Sequence, residues 1–123
     1  MELTTKVTID SENSVARVAV AGALNTDTAP DFEKRLGSVL EGNHELTVLD
    51  MKDLDYISSA GLRVIFKAAK QAKAAGHRMA AANPNRTSTR CSRILALPDM
   101  AVFANEQELD DYLDAMQQRA RGE

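Results

Sequence analysis

Residues 46–51, Leu-Thr-Val-Leu-Asp-Met, are nearly continuously apolar, and this feature restricts the fold more than any other. A strand with one wet face alternates apolar and polar residues, whereas a strand covered on both faces has no need to. The run therefore predicts a central strand with structure packed above and below it. A loop, Lys52-Asp53-Leu54-Asp55, follows it. The segment Tyr56-Ile57-Ser58-Ser59-Ala60-Gly61-Leu62-Arg63 then leads into the longest helix-like run of the chain.

That junction has its own chemistry. Ser58 is placed to be the helix N-cap, its hydroxyl accepting a hydrogen bond from an otherwise unpaired N–H of the first turn. Ile57 before the cap and Leu62 at the fourth helical position stand where a hydrophobic staple would fix the chain's direction. Ser59 then falls at the first helical position, outside the capping bond. Gly61, at the third, is a poorer helix former than alanine by about 1 kcal/mol. Packing alone does not call for a glycine there, so the backbone is expected to be approached closely by something else.

The remaining segments complete an alternating pattern. Residues 7–10 and 15–21 are valine-rich, with Ser11-Glu12-Asn13 between them, and read as an antiparallel hairpin ended by Gly22. Thr28 is expected to cap a helix carrying Phe32, Leu36, Val39 and Leu40 at helical spacing, closed by Gly42. Leu62, Ile65, Phe66, Ala69 and Ala72 form the expected inward stripe of the central helix, with Lys67, Lys70 and Lys73 on a solvated face and Gly76 as the stop. Residues 77–82 read as a fourth strand and Asn83-Pro84-Asn85 as a turn. Residues 87–97 read as a short helix, and Val102-Phe103 as a short last strand. Residues 106–118 read as an acidic helix with Leu109, Tyr112, Leu113 and Met116 inward, and 119–123 as a fraying tail. The expected fold is α/β: a mixed four- to five-stranded sheet with an N-terminal antiparallel hairpin, packed by about four helices. Residues 1–118 would form a single domain.

Composition matters mainly for what it disfavours. A net charge of −3 over 123 residues gives no argument for a nucleic-acid or anionic-membrane partner. No apolar run approaches the roughly 18 residues needed to span a bilayer. The N-terminal residues lack a secretory signal's apolar core, and a lone cysteine, Cys91, forms no internal disulfide, so a cytoplasmic location is expected. His44 and His77 lie far apart and show no metal-ligand spacing. Arg86, Arg90 and Arg93 lie at helical spacing, with Cys91 beside them. Asp50, Asp53 and Asp55 are expected as turn and capping residues. The chemical alternative for one of these acids is support of a Mg²⁺ brought by an ATP-bearing partner. No resident cofactor is expected.

Two readings of the serine pair stand side by side. Both serines can serve the cap, or Ser59 can be a phosphorylation site, with Ser58 as runner-up. A phosphate adds about −1.5 to −2 charge, which the helix N-terminus favours. Nucleophilic catalysis by Ser59 would need a histidine base and a nucleophile elbow, and no G-x-S-x-G surrounds it.

The hairpin, Gly22-Ala23-Leu24-Asn25 followed by Thr28-Ala29, Val48-Leu49-Asp50 and Ile57-Ser58-Ser59-Ala60-Gly61-Leu62 occur in one order. Together they resemble the STAS domain, in particular the stand-alone bacterial anti-sigma factor antagonists, over roughly residues 7–116. The resemblance implies a non-enzymatic partner switch. The unphosphorylated antagonist binds an anti-sigma factor that is a serine kinase carrying ATP and Mg, which frees a sigma factor. The kinase phosphorylates the antagonist, and a metal-dependent serine phosphatase reverses the modification. By the motif, the phosphoacceptor is Ser59, two places before the glycine. The partner surface would comprise Leu24, Asn25, Thr26, Asp27 and Thr28 with Ser58, Ser59, Ala60, Gly61 and Leu62. Two places depart from the family pattern. Ser58 stands where an acid often precedes the phosphoserine, and Ala23 and Asn25 replace the acids of an early Gly-Glu-Leu-Asp motif. An alternative implied role is a non-phosphorylated structural subunit of a lipid-transport or other signalling complex.

Overall fold

The apolar run at residue 46 begins the longest strand of a five-stranded sheet. The computed structural model describes residues 3–42, 44–83, 100–103 and 106–120. In chain order the elements are β1 (Leu3–Asp10), β2 (Val15–Leu24), α1 (Ala29–Glu41), β3 (Leu46–Ile57), α2 (Ser59–Ala74), β4 (Arg78–Ala82), β5 (Met100–Phe103) and α3 (Glu106–Ala120). The strands lie in the order β1-β2-β3-β4-β5; β1 is antiparallel to β2 and every other pair is parallel. This is the mixed sheet with an opening hairpin that the pattern predicts. The expected helix over 87–97, Cys91 and the three arginines lie outside the described residues.

β3 is central, and both of its faces are covered. Leu49 and Met51 join Val18, Val20, Met79 and Ala81 beneath α1 and α2. Leu46 and Val48 join Val15, Ala80 and Ala82 on the opposite face, against Leu109, Tyr112 and Leu113 of α3. Phe32 and Leu36 of α1 are almost fully buried, and each such side chain contributes about 1.5–3 kcal/mol relative to exposure.

Four expectations need correction. The second strand does not end at Gly22. Gly22 has φ 98°, a left-handed conformation that suits glycine, and the strand continues past a register shift to Leu24. Nor is 52–55 a loop. β3 runs to Ile57 with two register shifts against β2, each placing an extra residue on β3, so that Met51, Leu54 and Ile57 are buried while Lys52, Asp53, Asp55 and Tyr56 are exposed. Burial every third residue does not match the strand period of two, and the bulges supply the difference.

In α2 the buried residues are Gly61, Val64, Ile65, Ala68, Ala69 and Ala72. Leu62 and Phe66 are only half-buried, because at 100° per residue they flank the buried stripe of Gly61, Val64, Ile65, Ala68 and Ala72 rather than lie on it. Lys70 Nζ stands 4.5 Å from the Phe66 ring centroid. Finally, the described helix α3 continues to Ala120, past the expected start of the tail.

The hydrogen bonds at the end of α2 form a Schellman arrangement: His77 N–H donates to Ala72 O and Gly76 N–H to Lys73 O. Among the described residues, no helix is long and apolar enough to cross a membrane.

Candidate functional site

Because β2 and β3 are parallel, their C-terminal ends lie together, with Leu24 paired to Ile57. The ends of parallel strands in α/β sheets are where binding sites commonly form. Here the loop leaving β2 and the start of α2 meet. Ser58 N–H donates to Leu24 O at 2.8 Å, which ties the two loops together.

Ser58 is the N-cap of α2. Its backbone is extended, and its Oγ accepts from Gly61 N–H at 3.2 Å. The side chain is buried. Ser59, the first residue of the helix, is exposed. The two serines thus stand in different environments: one holds the first turn together, and the next faces solvent on the same turn. A negative group on Ser59 would sit at the positive end of a 16-residue helix. Arg63, also exposed, lies one turn further on, the spacing at which an acidic group and a following base pair on a helix surface.

Gly61 has a structural reason that its position in the sequence did not disclose. A Cβ built on it would lie 2.6 Å from Leu24 Cγ, 2.9 Å from Leu24 Cδ2 and 3.1 Å from Leu24 O. The group that approaches this backbone is therefore the chain's own β2 terminus, and internal packing does ask for glycine here.

The loop after β2 is built by two side chains. Asn25 Oδ1 accepts from Asp27 N–H at 2.9 Å and Thr28 N–H at 3.0 Å, an Asx turn. Thr28 occupies the N-cap position of α1, but its hydroxyl makes no capping bond. It donates instead to Ala23 O at 2.8 Å and accepts from Asn25 N–H at 2.9 Å. The expected Thr28 cap is thus a loop clasp, because a turn of non-helical backbone just upstream offers closer partners. Asn25 does here what a carboxylate would do in the same turn, and Ala23 is buried.

The ten residues assigned to a partner surface do come together, but at two depths. Thr26, Asp27 and Ser59 are exposed, and Asn25, Thr28, Ala60 and Leu62 are partly so. Leu24, Ser58 and Gly61 are buried and shape the surface from beneath rather than forming it. Tyr56, which sequence reasoning passed over, is 41% exposed two residues before the cap. An aromatic residue between Asp55 and a buried isoleucine was the available signal.

The other candidates lie elsewhere. His44 precedes β3 and His77 follows α2, so both sit at the far ends of the elements that meet at Ser59. Sixteen helical residues span about 24 Å, which puts His77 out of reach of Ser59. Lys67 pairs with Glu33 at 2.9 Å on the surface. Asp53 and Asp55 are exposed strand residues. Among the described residues, no three metal-ligating side chains cluster.

Asp50 has a distinct environment. Its Oδ2 accepts from Arg17 Nη2 at 2.8 Å, and its Oδ1 from Asn83 Nδ2 at 3.1 Å and Lys52 N–H at 3.1 Å. Burial alone would raise this carboxyl's pKa. The hydrogen bonds from Arg17, Asn83 and Lys52, with the charge of Arg17, outweigh it and hold the pKa below the ordinary 3.8. Asp50 is a fastener between β2, β3 and the residue after β4, not a capping residue.

Comparison with known proteins agrees with the fold that carries this site. The family model for the STAS domain matches residues 6–109. The chain is 38% identical over 66 residues to BtrV of Bordetella bronchiseptica, a protein assigned as an anti-sigma factor antagonist; the match covers 54% of this chain and 57% of BtrV. The chain thus spans little more than half the length of that relative. The crystal structure of an anti-sigma factor antagonist from Mycobacterium paratuberculosis superposes with a TM-score of 0.70 at 26% identity, over 94% of this chain and 95% of that one. The Bacillus cell-fate determinant SpoIIAA in its phosphorylated form shares the fold with a TM-score of 0.67 at 16% identity, over 89% of this chain and 99% of that one.

Proposed function

The chain belongs to the STAS domain family, and on that premise we propose that it is an anti-sigma factor antagonist switched by reversible phosphorylation of Ser59. In this reading the unphosphorylated chain binds an anti-sigma serine kinase carrying ATP and Mg, and a sigma factor is released. Phosphorylation of Ser59 ends that binding, and a metal-dependent serine phosphatase restores it. The names of the relatives support the class of partner, and a structural neighbour known in a phosphorylated form supports the mode of switching.

One observation carries the choice of residue. Ser58 Oγ is buried and holds Gly61 N–H, while Ser59 on the same turn is exposed. Phosphorylating Ser58 would break the cap and force a dianion into a buried position. Phosphorylating Ser59 adds charge where the helix dipole favours it, so the fold persists while the surface changes. The docking face formed by Thr26, Asp27, Ser59 and Ala60 becomes strongly negative, and a partner fitted to the neutral face meets repulsion and a bulky group.

The test is binding of the kinase to three forms of the antagonist by titration calorimetry with ATP analogue and Mg present. Wild type and Ser59→Ala are expected to bind alike, and Ser59→Asp at least about tenfold more weakly. Equal binding by all three would refute the reading.

A further inference from the structure

We infer that β1 is a homodimer edge, two copies pairing their β1 strands antiparallel about a two-fold axis at Thr8 so that the sheet continues from one copy into the other. β1 is eight residues long, lies at the end of the sheet and pairs only with β2 among the described strands. An edge of this length presents a row of backbone donors and acceptors to any matching strand. Two of the three large apolar residues exposed among those described, Val7 at 40% and Ile9 at 49%, are on it. They lie opposite Val18 and Ala16, so both project on the face of the sheet that α1 and α2 cover. Arg35 of α1 reaches β1 only as far as Thr5, at 3.0 Å.

The sequence of the edge selects a second copy as the occupant. Two antiparallel strands related by a two-fold axis perpendicular to the sheet keep the same face, so each residue meets one of its own parity. An axis at Lys6 would set that lysine against itself, which is unfavourable. An axis at Val7 would set Ile9 against Thr5, already bonded to Arg35, and leave Lys6 facing Thr8. An axis at Thr8 pairs Val7 with Ile9 of the other copy twice, and Lys6 with Asp10 twice. The segment Lys6-Val7-Thr8-Ile9-Asp10 is thus its own complement when reversed. Asp10 already accepts from Asn13 N–H at 3.3 Å and Asn13 Nδ2 at 2.6 Å, and a carboxylate with about four acceptor sites retains capacity for a lysine. The edge is on the first strand, whereas Ser59 follows the third, so pairing leaves the serine exposed.

Charge reversal and cross-linking test the proposal on the full chain. Sedimentation equilibrium from micromolar to near-millimolar concentration is expected to show a reversible dimer. Lys6→Asp or Asp10→Lys alone should raise its dissociation constant about tenfold, since each puts like charges opposite one another twice. Lys6→Asp with Asp10→Lys should restore it, which damage to the Asp10–Asn13 turn would not. In a Cys91→Ser background, Thr8→Cys should oxidise to a covalent dimer, because directly opposed residues lie about 4.5–5.5 Å apart between Cα atoms, within disulfide range. A monomer at every concentration overturns the inference. So does a dimer indifferent to the single charge reversals, or one that Thr8→Cys fails to cross-link.

Discussion

Replacing Gly61 with alanine sets two opposing effects against each other. Helix propensity alone favours alanine by about 1 kcal/mol. The new methyl carbon would lie 2.6 Å from Leu24 Cγ and 2.9 Å from Leu24 Cδ2, whereas carbon atoms rest about 3.5–4.0 Å apart. Leu24 has no room to yield: it is fully buried, and its carbonyl holds Ser58 N–H at 2.8 Å. Overpacking of a core costs about 1–3 kcal/mol, and overlap at a branch carbon belongs in the upper half of that range. The net expectation is a loss of about 1–2 kcal/mol, a fall in Tm of about 3–8 °C for a chain of this size. Urea unfolding followed by circular dichroism measures it, with an unchanged m-value. Leu24→Ala alone should cost about 2–5 kcal/mol. The double variant should cost less than the sum by at least about 1 kcal/mol, because the truncated side chain leaves space for the methyl group. Gly61→Ala at least as stable as wild type, or strict additivity with Leu24→Ala, would refute the packing argument.

Three further outcomes are expected. Ser58→Ala should lose about 1 kcal/mol with the cap, more than Ser59→Ala at the exposed neighbouring position; parallel thermal melts compare them. Thr28→Val removes the hydroxyl that bonds both Ala23 O and Asn25 N–H and should cost about 1–2 kcal/mol, read by chemical denaturation, while loosening the loop beside Ser59. The Asp50 carboxyl is held below its ordinary pKa in the folded chain, so its ionisation stabilises the fold above about pH 4, and the contribution is lost as pH falls through the folded pKa. Asp50→Asn should therefore be less stable than wild type at pH 7, with the gap closing below about pH 4 in a denaturation series.

Much of this fold is legible in the sequence where local chemistry and global packing agree. The Ser58 cap needs only a serine before an apolar-periodic run, and the structure shows that bond. The nearly continuous apolar stretch at 46–51 does mark a strand covered on both faces. Leu109 of the last described helix is buried as its spacing suggests. What escaped detection depends on register or on contacts distant in sequence. The two bulges of β3 turn a strand's alternation into burial at every third residue, so Lys52 to Asp55 imitates a loop. Gly61 looks gratuitous until Leu24, 37 positions earlier, is seen against it. Thr28 has the composition of a cap but finds nearer partners in Ala23 and Asn25. In α2 the buried stripe takes in Val64 and Ala68, so its centre lies further from Leu62 and Phe66 than the size of those two residues suggests.

The partner switch rests on which of two adjacent hydroxyls receives phosphate. Incubating the chain with its cognate anti-sigma kinase, ATP and Mg, then mapping the modified peptide by mass spectrometry, answers this directly. The account predicts a single phosphate on Ser59, abolished by Ser59→Ala and retained in Ser58→Ala. Phosphate on Ser58, or on neither serine while the kinase modifies the chain elsewhere, would contradict it.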